Sequence, residues 1–367
     1  MQKSTLSSLI CVARKKCEGE LAVKNDGQSA SHENEISYGI IECKQCKARY
    51  PILAGVAILV PDVLTYLILH VKGISKFVPD EKIPKEYRAA FVKAKKDIFE
   101  ELIEEDLESD RVNMLYVMNH YLRVSGSKVK WWRPVHGDGS DAIETLVKKF
   151  WDQGPLDQVP GLFNGLDQRV VELGCGVGGL YHRISMHTKF FLGVDSAFQS
   201  ILLARHFNLG TEYPGELKVP EDLIQGPTSR AIQFPTNPKA KRDGVDFIVG
   251  DIEFLPVETA AWDVAVSMNT IDMLRDPRLL PELQHSLLKK GGYAIQSDPY
   301  IWHDKVARRI RNQLPKTIAT SSAAVEYLYE KVGFKIEKSY PHIPWVFFKH
   351  LRQVELYSVQ LFLAKKP

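Results

Sequence analysis

From residue 166 onward, short apolar runs alternate with stretches in which apolar positions recur every three or four residues. The runs cover 169–173, 190–195, 246–250, 262–268 and 292–296, followed by 335–340 and 356–364. Apolar strands separated by helical periods predict βαβ units around a mostly parallel sheet, here an α/β fold of seven strands. The last two runs lie close together and predict an antiparallel hairpin at the sheet edge.

Upstream the pattern changes twice. Residues 63–165 are rich in Lys and Glu with helical periodicity, as in Phe91, Ala94, Ile98 and Leu102, and predict a helical linker or lid region. Residues 1–62 carry β-like runs such as GIIEC (39–43) and form the expected first domain; 166–367 form the third. The segment PILAGVAILVPDVLTYLILHV (51–71) has the length of a membrane span. Pro61 and Asp62 interrupt its middle, where a charge is costly, so it predicts a buried strand, a break and the start of a helix. One connection is oversized: residues 209–244 contain five prolines and a basic end, Lys239-Ala-Lys-Arg242. A loop of that length is either a partial cover over a site or a surface insertion.

Composition narrows the class without naming a partner. A net charge of +3 over 367 residues argues neither for nor against nucleic acid. No basic segment followed by an apolar one opens the sequence, so a cytoplasmic protein is expected, with no membrane partner. Four of the five cysteines, Cys11, Cys17, Cys43 and Cys46, fall in the first 46 residues; the fifth is Cys175. Without a secretory signal, a metal site is favoured over disulfides. Cys43-x-x-Cys46 has knuckle spacing. The pair Cys11 and Cys17 is wider than usual, but completes a thiolate set for a structural Zn2+, with no open position for catalysis.

The segment VVELGCGVGG (170–179) contains G-x-G-x-x-G at Gly174, Gly176 and Gly179, with Asp195 closing the next strand. Formally this is a dinucleotide turn, with an acid about 20 residues on for the ribose. Glu172 changes the picture. A carboxylate two residues before the first glycine repels a pyrophosphate and attracts a ligand carrying an ammonium and a sulfonium. After the third strand, VGDIEFLP (249–256) supplies an acid–apolar pair, suited to an adenine amino group and ring.

The segments ELGCGVGG, GVDS and GDIEFLP, in that order, resemble the successive motifs of class I S-adenosylmethionine-dependent methyltransferases over about residues 166–367. The resemblance implies a Rossmann-like seven-stranded methyltransferase sheet and S-adenosyl-L-methionine as cofactor. Glu172, Gly174, Cys175, Gly176 and Gly178 are then expected along its methionine part and Asp195 at the ribose hydroxyls. Asp251 and Ile252 are expected at the adenine, with Ser196 and Met268 completing the set. A Rossmann-like domain for another nucleotide is the alternative.

The methyl acceptor is read from loops after the fourth and fifth strands, at the carboxyl ends of the sheet. SMNTIDMLRDP (267–277), QSDPYIW (296–302) and HIPWVFFKHLR (342–352) are similar to the methyltransferase domain of ovothiol biosynthesis, which methylates the imidazole of a mercaptohistidine. Here Asp298 stands between the serine and the proline, and no ovothiol-synthase domain is present, so the likeness implies a related pocket rather than the same substrate. Displacement at a sulfonium methyl needs an aligned, deprotonated acceptor and little water. Asn269, Asp272, Asp298 and Tyr300 are the candidates for orienting or deprotonating it. Capping by Asp272 and turn formation by Asp298 are the structural alternatives. Trp302 and Trp345 are core or substrate wall; His303 and His342 are expected at the surface. Asn119-His-Tyr-Leu and Trp131-Trp-Arg-Pro134 form either an aromatic lid or a helix packed on the sheet.

GIIECKQC (39–46) and YPILAGVAILVP (50–61) together resemble the zinc-ribbon activator subunit of tRNA, rRNA and release-factor methyltransferases, here fused to its enzyme. Such a ribbon implies stabilisation of the catalytic part or help in presenting a macromolecule. The leading expectation is methyl transfer to a nitrogen of a small amino-acid or imidazole-type metabolite. Protein or tRNA methylation is the alternative, and a non-catalytic cofactor-binding scaffold comes third.

Overall fold

The computed structural model describes residues 1–13, 17, 19–24, 30–32, 34–99, 106–121, 142–163, 165–211, 213, 218–222, 228–231, 244–350 and 353–367. Strands β1 (Leu21–Lys24), β2 (Ala30–His32), β3 (Glu35–Cys43), β4 (Arg49–Leu53) and β5 (Val56–Leu59) come first. Helices α1 (Val63–Leu69), α2 (Val71–Ser75), α3 (Lys85–Phe99), α4 (Asp106–Tyr121), α5 (Ala142–Phe150) and α6 (Pro155–Gln158) follow. The remainder alternates: β6 (Gln168–Leu173), α7 (Tyr181–Ile184), β7 (Thr188–Asp195), α8 (Phe198–Leu209), β8 (Lys218–Asp222), β9 (Thr228–Ala231), β10 (Val245–Gly250), β11 (Trp262–Met268) and α9 (Leu279–Leu287). It ends with β12 (Leu288–Asp298), α10 (Asp304–Arg311), α11 (Ser321–Lys331), β13 (Lys335–His350) and β14 (Gln353–Lys365).

The seven expected strands lie side by side in the order β10-β7-β6-β11-β12-β14-β13. The first five are parallel, and β14 and β13 form the antiparallel edge hairpin. Strand β6 sits between β7 and β11, so the connections after β6 and β11 diverge there. That divergence opens a crevice at the carboxyl ends of the strands.

The sheet does not stop at seven strands. Strand β5 pairs in parallel with β10, Ile58 opposite Val249 and Leu59 opposite Gly250, and the whole becomes a twelve-stranded sheet continuing through β4, β3 and β1. The physical reason lies in the segment VAIL, buried at every position, which only a strand covered on both faces can use. It also closes the edge that β10 would otherwise present. Below this seam, fully buried Arg205 forms ion pairs with Glu35 of β3 and Asp246 of β10. Asp246 Oδ2 also accepts from Gln2 N (2.7 Å) and Thr5 Oγ1 (2.9 Å).

Residues 51–71 follow the expected strand, break and helix, with one turn more. Ala54 (φ 48°) and Gly55 (φ 81°) make the two-residue turn between β4 and β5, in the left-handed geometry that matches hairpin twist. After Pro61, Asp62 caps α1 by accepting from Thr65 N (3.0 Å) and Thr65 Oγ1 (2.7 Å). No described helix is long and apolar enough to cross a membrane.

A second apolar cluster joins α4 to the edge hairpin and to α8, through Leu115, Met118, Tyr121, Phe207, Val346 and Phe348. Asn119 fastens it. Its amide donates to the Phe348 carbonyl (2.9 Å) and accepts from the Phe348 N–H (2.8 Å), acting as a one-residue ladder on β13. Tyr121 Oη donates to the Val177 carbonyl (2.6 Å) in the glycine loop. Within the long 209–244 connection, β8 and β9 form a hairpin beside α4 and β13.

Candidate active site

A cavity of about 890 Å³ opens at the carboxyl ends of β6, β7, β10 and β11, with α4 and β13 on its far side. The turn after β6 supplies its floor. Gly174 (φ +75°) admits no side chain, since a Cβ there would lie 2.4 Å from Thr270 Oγ1. Of the ten expected cofactor residues, Glu172, Gly174, Cys175, Gly176, Asp195, Ser196, Asp251, Ile252 and Met268 line the cavity. Gly178 does not. It faces backward, where a Cβ would strike Ala204 and Phe247, so it packs the loop on α8 and β10 rather than on a ligand.

The carboxylates are held in distinct ways. Asp195 accepts from Gly176 N on one oxygen and from Ala197 N on the other, both at 2.9 Å. Burial raises its pKa, and the backbone N–H groups of Ala197, Gly176 and Ser196 oppose the shift. Burial, and then the like charge of Asp195, push Glu172 well above the usual carboxylate range. Its Oε2 is buried and has no hydrogen-bond partner, an arrangement that a cationic ligand would complete. Asp251 accepts from Glu253 N (2.8 Å) at the opposite end. Tyr66 of α1 donates to the Ser196 carbonyl (2.8 Å) and stacks on His70 (centroids 4.2 Å apart), buttressing the loop after β7. Among the described lining residues there are three carboxylates and no Lys or Arg. A ligand with an ammonium, a sulfonium, a ribose and an adenine fits this donor set.

Of the four acceptor-side candidates, only Asn269 lines the cavity. Its backbone is left-handed (φ 55°), its N–H donates to Ser297 O (2.7 Å) and its buried Oδ1 has no partner. Asp272, Asp298 and Tyr300 lie outside the lining, as does Trp302. Strand alternation explains where Asp298 lies. It pairs with Gln360 of β14, whose side chain reaches Glu326 of α11 (2.7 Å), so this register position faces α11 instead of the cavity. Asp298 Oδ1 accepts from Tyr300 N (2.6 Å), and Asp272 Oδ2 accepts from Ile301 N (2.8 Å). Burial and the neighbouring Asp272 push Asp298 up to about 8. Tyr300 (φ 60°) donates to Gln360 and stacks on Trp302 (5.6 Å, 12°), and Trp302 Nε1 donates to Ser321 Oγ (2.9 Å).

Trp345 does line the cavity, opposite Tyr116 and His120 of α4. His303 and His342 are exposed, as expected, and engage Lys305 N and Ser358 Oγ. The residues that sequence reasoning passed over are Asn113, Tyr116 and Ser200. A signal existed for α4: Asn113, Tyr116 and His120 are spaced three and four apart and form one polar–aromatic stripe on the helix. The Trp131–Pro134 segment lies outside the described residues.

Away from the cavity, the sulfurs of Cys11, Cys17, Cys43 and Cys46 all lie within 4.8 Å of one another. Cys11 and Cys46 are 3.5 Å apart, and Cys17 and Cys43 3.7 Å. A tetrahedral zinc ion with bonds of about 2.3 Å needs sulfurs about 3.8 Å apart, so the set fits. The wide Cys11–Cys17 spacing is no obstacle, because each of the two sulfurs stands beside one member of the Cys43–Cys46 pair. Gly19 leaves room for the sulfurs; a Cβ there would stand 2.6 Å from Cys43 Sγ.

Residues 171–296 match the family model of a methyltransferase domain. A search of the curated proteins returned no match. Among solved structures, the chain is similar to one in the complex of the Haloferax volcanii Trm112 methyltransferase activator with a methyltransferase (16% identity, 61% of this chain and 93% of that one, TM-score 0.39). It is also similar to an S-adenosylmethionine-dependent methyltransferase of Thermotoga maritima (21%, 58% and 87%, 0.34). A third is the magnesium protoporphyrin IX methyltransferase of Synechocystis with bound S-adenosylmethionine (15%, 69% and 97%, 0.37). Likenesses at this level carry no argument about substrate or partner.

Proposed function

We propose that this S-adenosylmethionine-dependent methyltransferase delivers its methyl group to a nitrogen of a small amino-acid or imidazole-type molecule. When bound, the cofactor supplies an electrophilic methyl on a sulfonium. Glu172, Gly174 and Gly176 would hold its methionine part, Asp195 the ribose, and Asp251 with Ile252 the adenine. Asn269, fixed at the end of β11, orients the acceptor. Asp272, Asp298 and Tyr300 hold the loops that frame it.

The observation that carries the reading is the lining itself: carboxylates at one end, aromatic rings at the other, and no described cation. Such walls repel a phosphate and accept a flat or weakly cationic base. The likeness of the acceptor-side loops to mercaptohistidine N-methyltransferases supports the same reading. One observation favours a macromolecular acceptor. Helix α10 exposes Lys305, Arg308, Arg309 and Arg311, and Arg309 reaches the Arg275 carbonyl, two residues beyond the cavity-lining Met273. Transfer of labelled methyl to separated small-molecule, protein and RNA fractions of a cell extract decides between them. Label in the small-molecule fraction is expected; label confined to protein or RNA overturns the leading reading.

A further inference from the structure

We infer that the acceptor base sits between α4 and the β13–β14 hairpin, and that His120 of α4 takes the proton which the acceptor nitrogen loses. This rests on the nitrogen reading above and gives it a place and a proton acceptor.

Helix α4 presents Asn113, Tyr116 and His120 to the cavity from one face, and β13 presents Trp345 from the other. The rings behind them interlock. Tyr116 leans on Phe347 (5.3 Å), and Trp345 contacts both Phe347 (5.5 Å) and Tyr357 (5.1 Å). Asn113 is fixed by Ser200, whose hydroxyl donates to Asn113 Oδ1 (2.9 Å). A slot with aromatic walls held this way is preorganised for a flat unsaturated ring.

His120 meets the Tyr116 ring edge-on (centroids 5.9 Å apart) and is set in that slot by its neighbours. Its ring lies against Gly179, where a Cβ would stand 2.4 Å from Nδ1. The third glycine of the G-x-G-x-x-G spacing thus clears space for an imidazole, and Nε2 lies on the far side of the ring from it. The His120 carbonyl accepts from Arg183, which is paired with Asp157 (3.1 Å). Around the same cavity are the carboxylates of Glu172, Asp195 and Asp251, the Cys175 thiol and the Tyr116 hydroxyl. The three carboxylates belong to the cofactor end; Asp272 and Asp298 lie outside the lining, though the charges of Asp272 and Glu355 are felt at Tyr116. Among the described lining residues, His120 carries the one group that ordinarily exchanges a proton near neutrality.

In the step, the lone pair of the neutral acceptor nitrogen forms a bond to the methyl carbon. The carbon–sulfur bond breaks with its electron pair staying on sulfur, leaving a thioether. The methylated nitrogen, now cationic, passes its proton to His120, which releases it to solvent.

The test compares wild type, His120→Gln, His120→Gly and Trp345→Ala. S-adenosylhomocysteine binding by calorimetry, expected to be unchanged within about twofold, reports intact folding of the cofactor half. Methyl transfer to 4-methylimidazole, L-histidine and benzylamine is followed over about pH 5 to 9. Wild type should lose kcat/KM toward acid as each probe's own nitrogen is protonated, so that limb moves with the probe. His120→Gln should lose about 10²- to 10⁴-fold on the alkaline plateau, where the imidazole probes are neutral. Added imidazole should restore part of the activity of His120→Gly. Trp345→Ala should raise KM for the base, and weaken 4-methylimidazole binding to the S-adenosylhomocysteine complex, by about tenfold with a smaller change in kcat. A loss under about threefold in His120→Gln on that plateau overturns the role of His120 and leaves nitrogen transfer standing. Failure of all three nitrogen probes in wild type overturns the nitrogen reading itself.

Discussion

Asp195 receives a backbone N–H on each carboxylate oxygen, so its position is fixed before any ligand arrives. Under the proposed assignment, that preorganisation would let its two oxygens meet two ribose hydroxyls without a conformational cost. Asp195→Ala should weaken S-adenosylmethionine binding at least tenfold, about 1.4 kcal/mol, in a calorimetric titration; undiminished binding sinks the assignment. Asp298 makes a different prediction. Its folded value, about 8, lies above the ordinary carboxylate value, so folding takes up a proton. Stability contributed by the protonated form is therefore present at low pH and lost as pH rises toward about 8. Asp298→Asn cannot ionise. Its unfolding free energy should fall less than that of wild type between about pH 5 and pH 8, by on the order of 1 kcal/mol per pH unit at most, and its melting temperature with it. Parallel melting profiles would contradict the buried, protonated carboxyl.

Among the elements, α4 has the most to lose from one substitution. Asn119 bonds both the N–H and the carbonyl of Phe348, and its truncation removes both hydrogen bonds from a buried stretch of β13. Asn119→Ala should cost about 2 to 4 kcal/mol in denaturant unfolding, with acceptor binding weakened before cofactor binding. Elements were the level at which sequence spoke most clearly. Six of the seven strands of the C-terminal part stand within a few residues of their apolar runs, because strands buried on both faces need uninterrupted apolar residues; β13 instead runs ten residues past its expected end, to His350. The β4–β5 turn escaped notice because Ala54 carries no turn signature; Gly55 alone supplies the left-handed preference. The cavity floor was legible because contiguous motifs encode it. Of the far wall, Trp345 and the segment around His120 stood among the alternatives but Tyr116 did not, since these residues come together only when a helix and a hairpin distant in the chain pack. Asp298 lies outside the lining for a subtler reason: spacing along a strand says which residues share a face, not which face looks into the cavity.

At the scale of the molecule, the cysteine cluster and the cavity belong to one sheet and one apolar core. Four thiolates close the coordination of a zinc ion, whose loss then acts on folding rather than on chemistry. Elemental analysis should find about one zinc per chain. Chelation should lower the melting temperature of the whole protein in a single transition, since both parts share a core. An unchanged melting temperature after demonstrated metal removal would count against the site.

The pairing of β5 with β10 also has a consequence for mass action. When a strand that completes a sheet comes from a separate chain, occupancy depends on how much of that chain is present, and dilution empties the edge. Here the completing strand is tethered, and its effective concentration at the edge is set by the connecting chain, not by expression level. One completing strand is delivered with every enzyme, at any dilution.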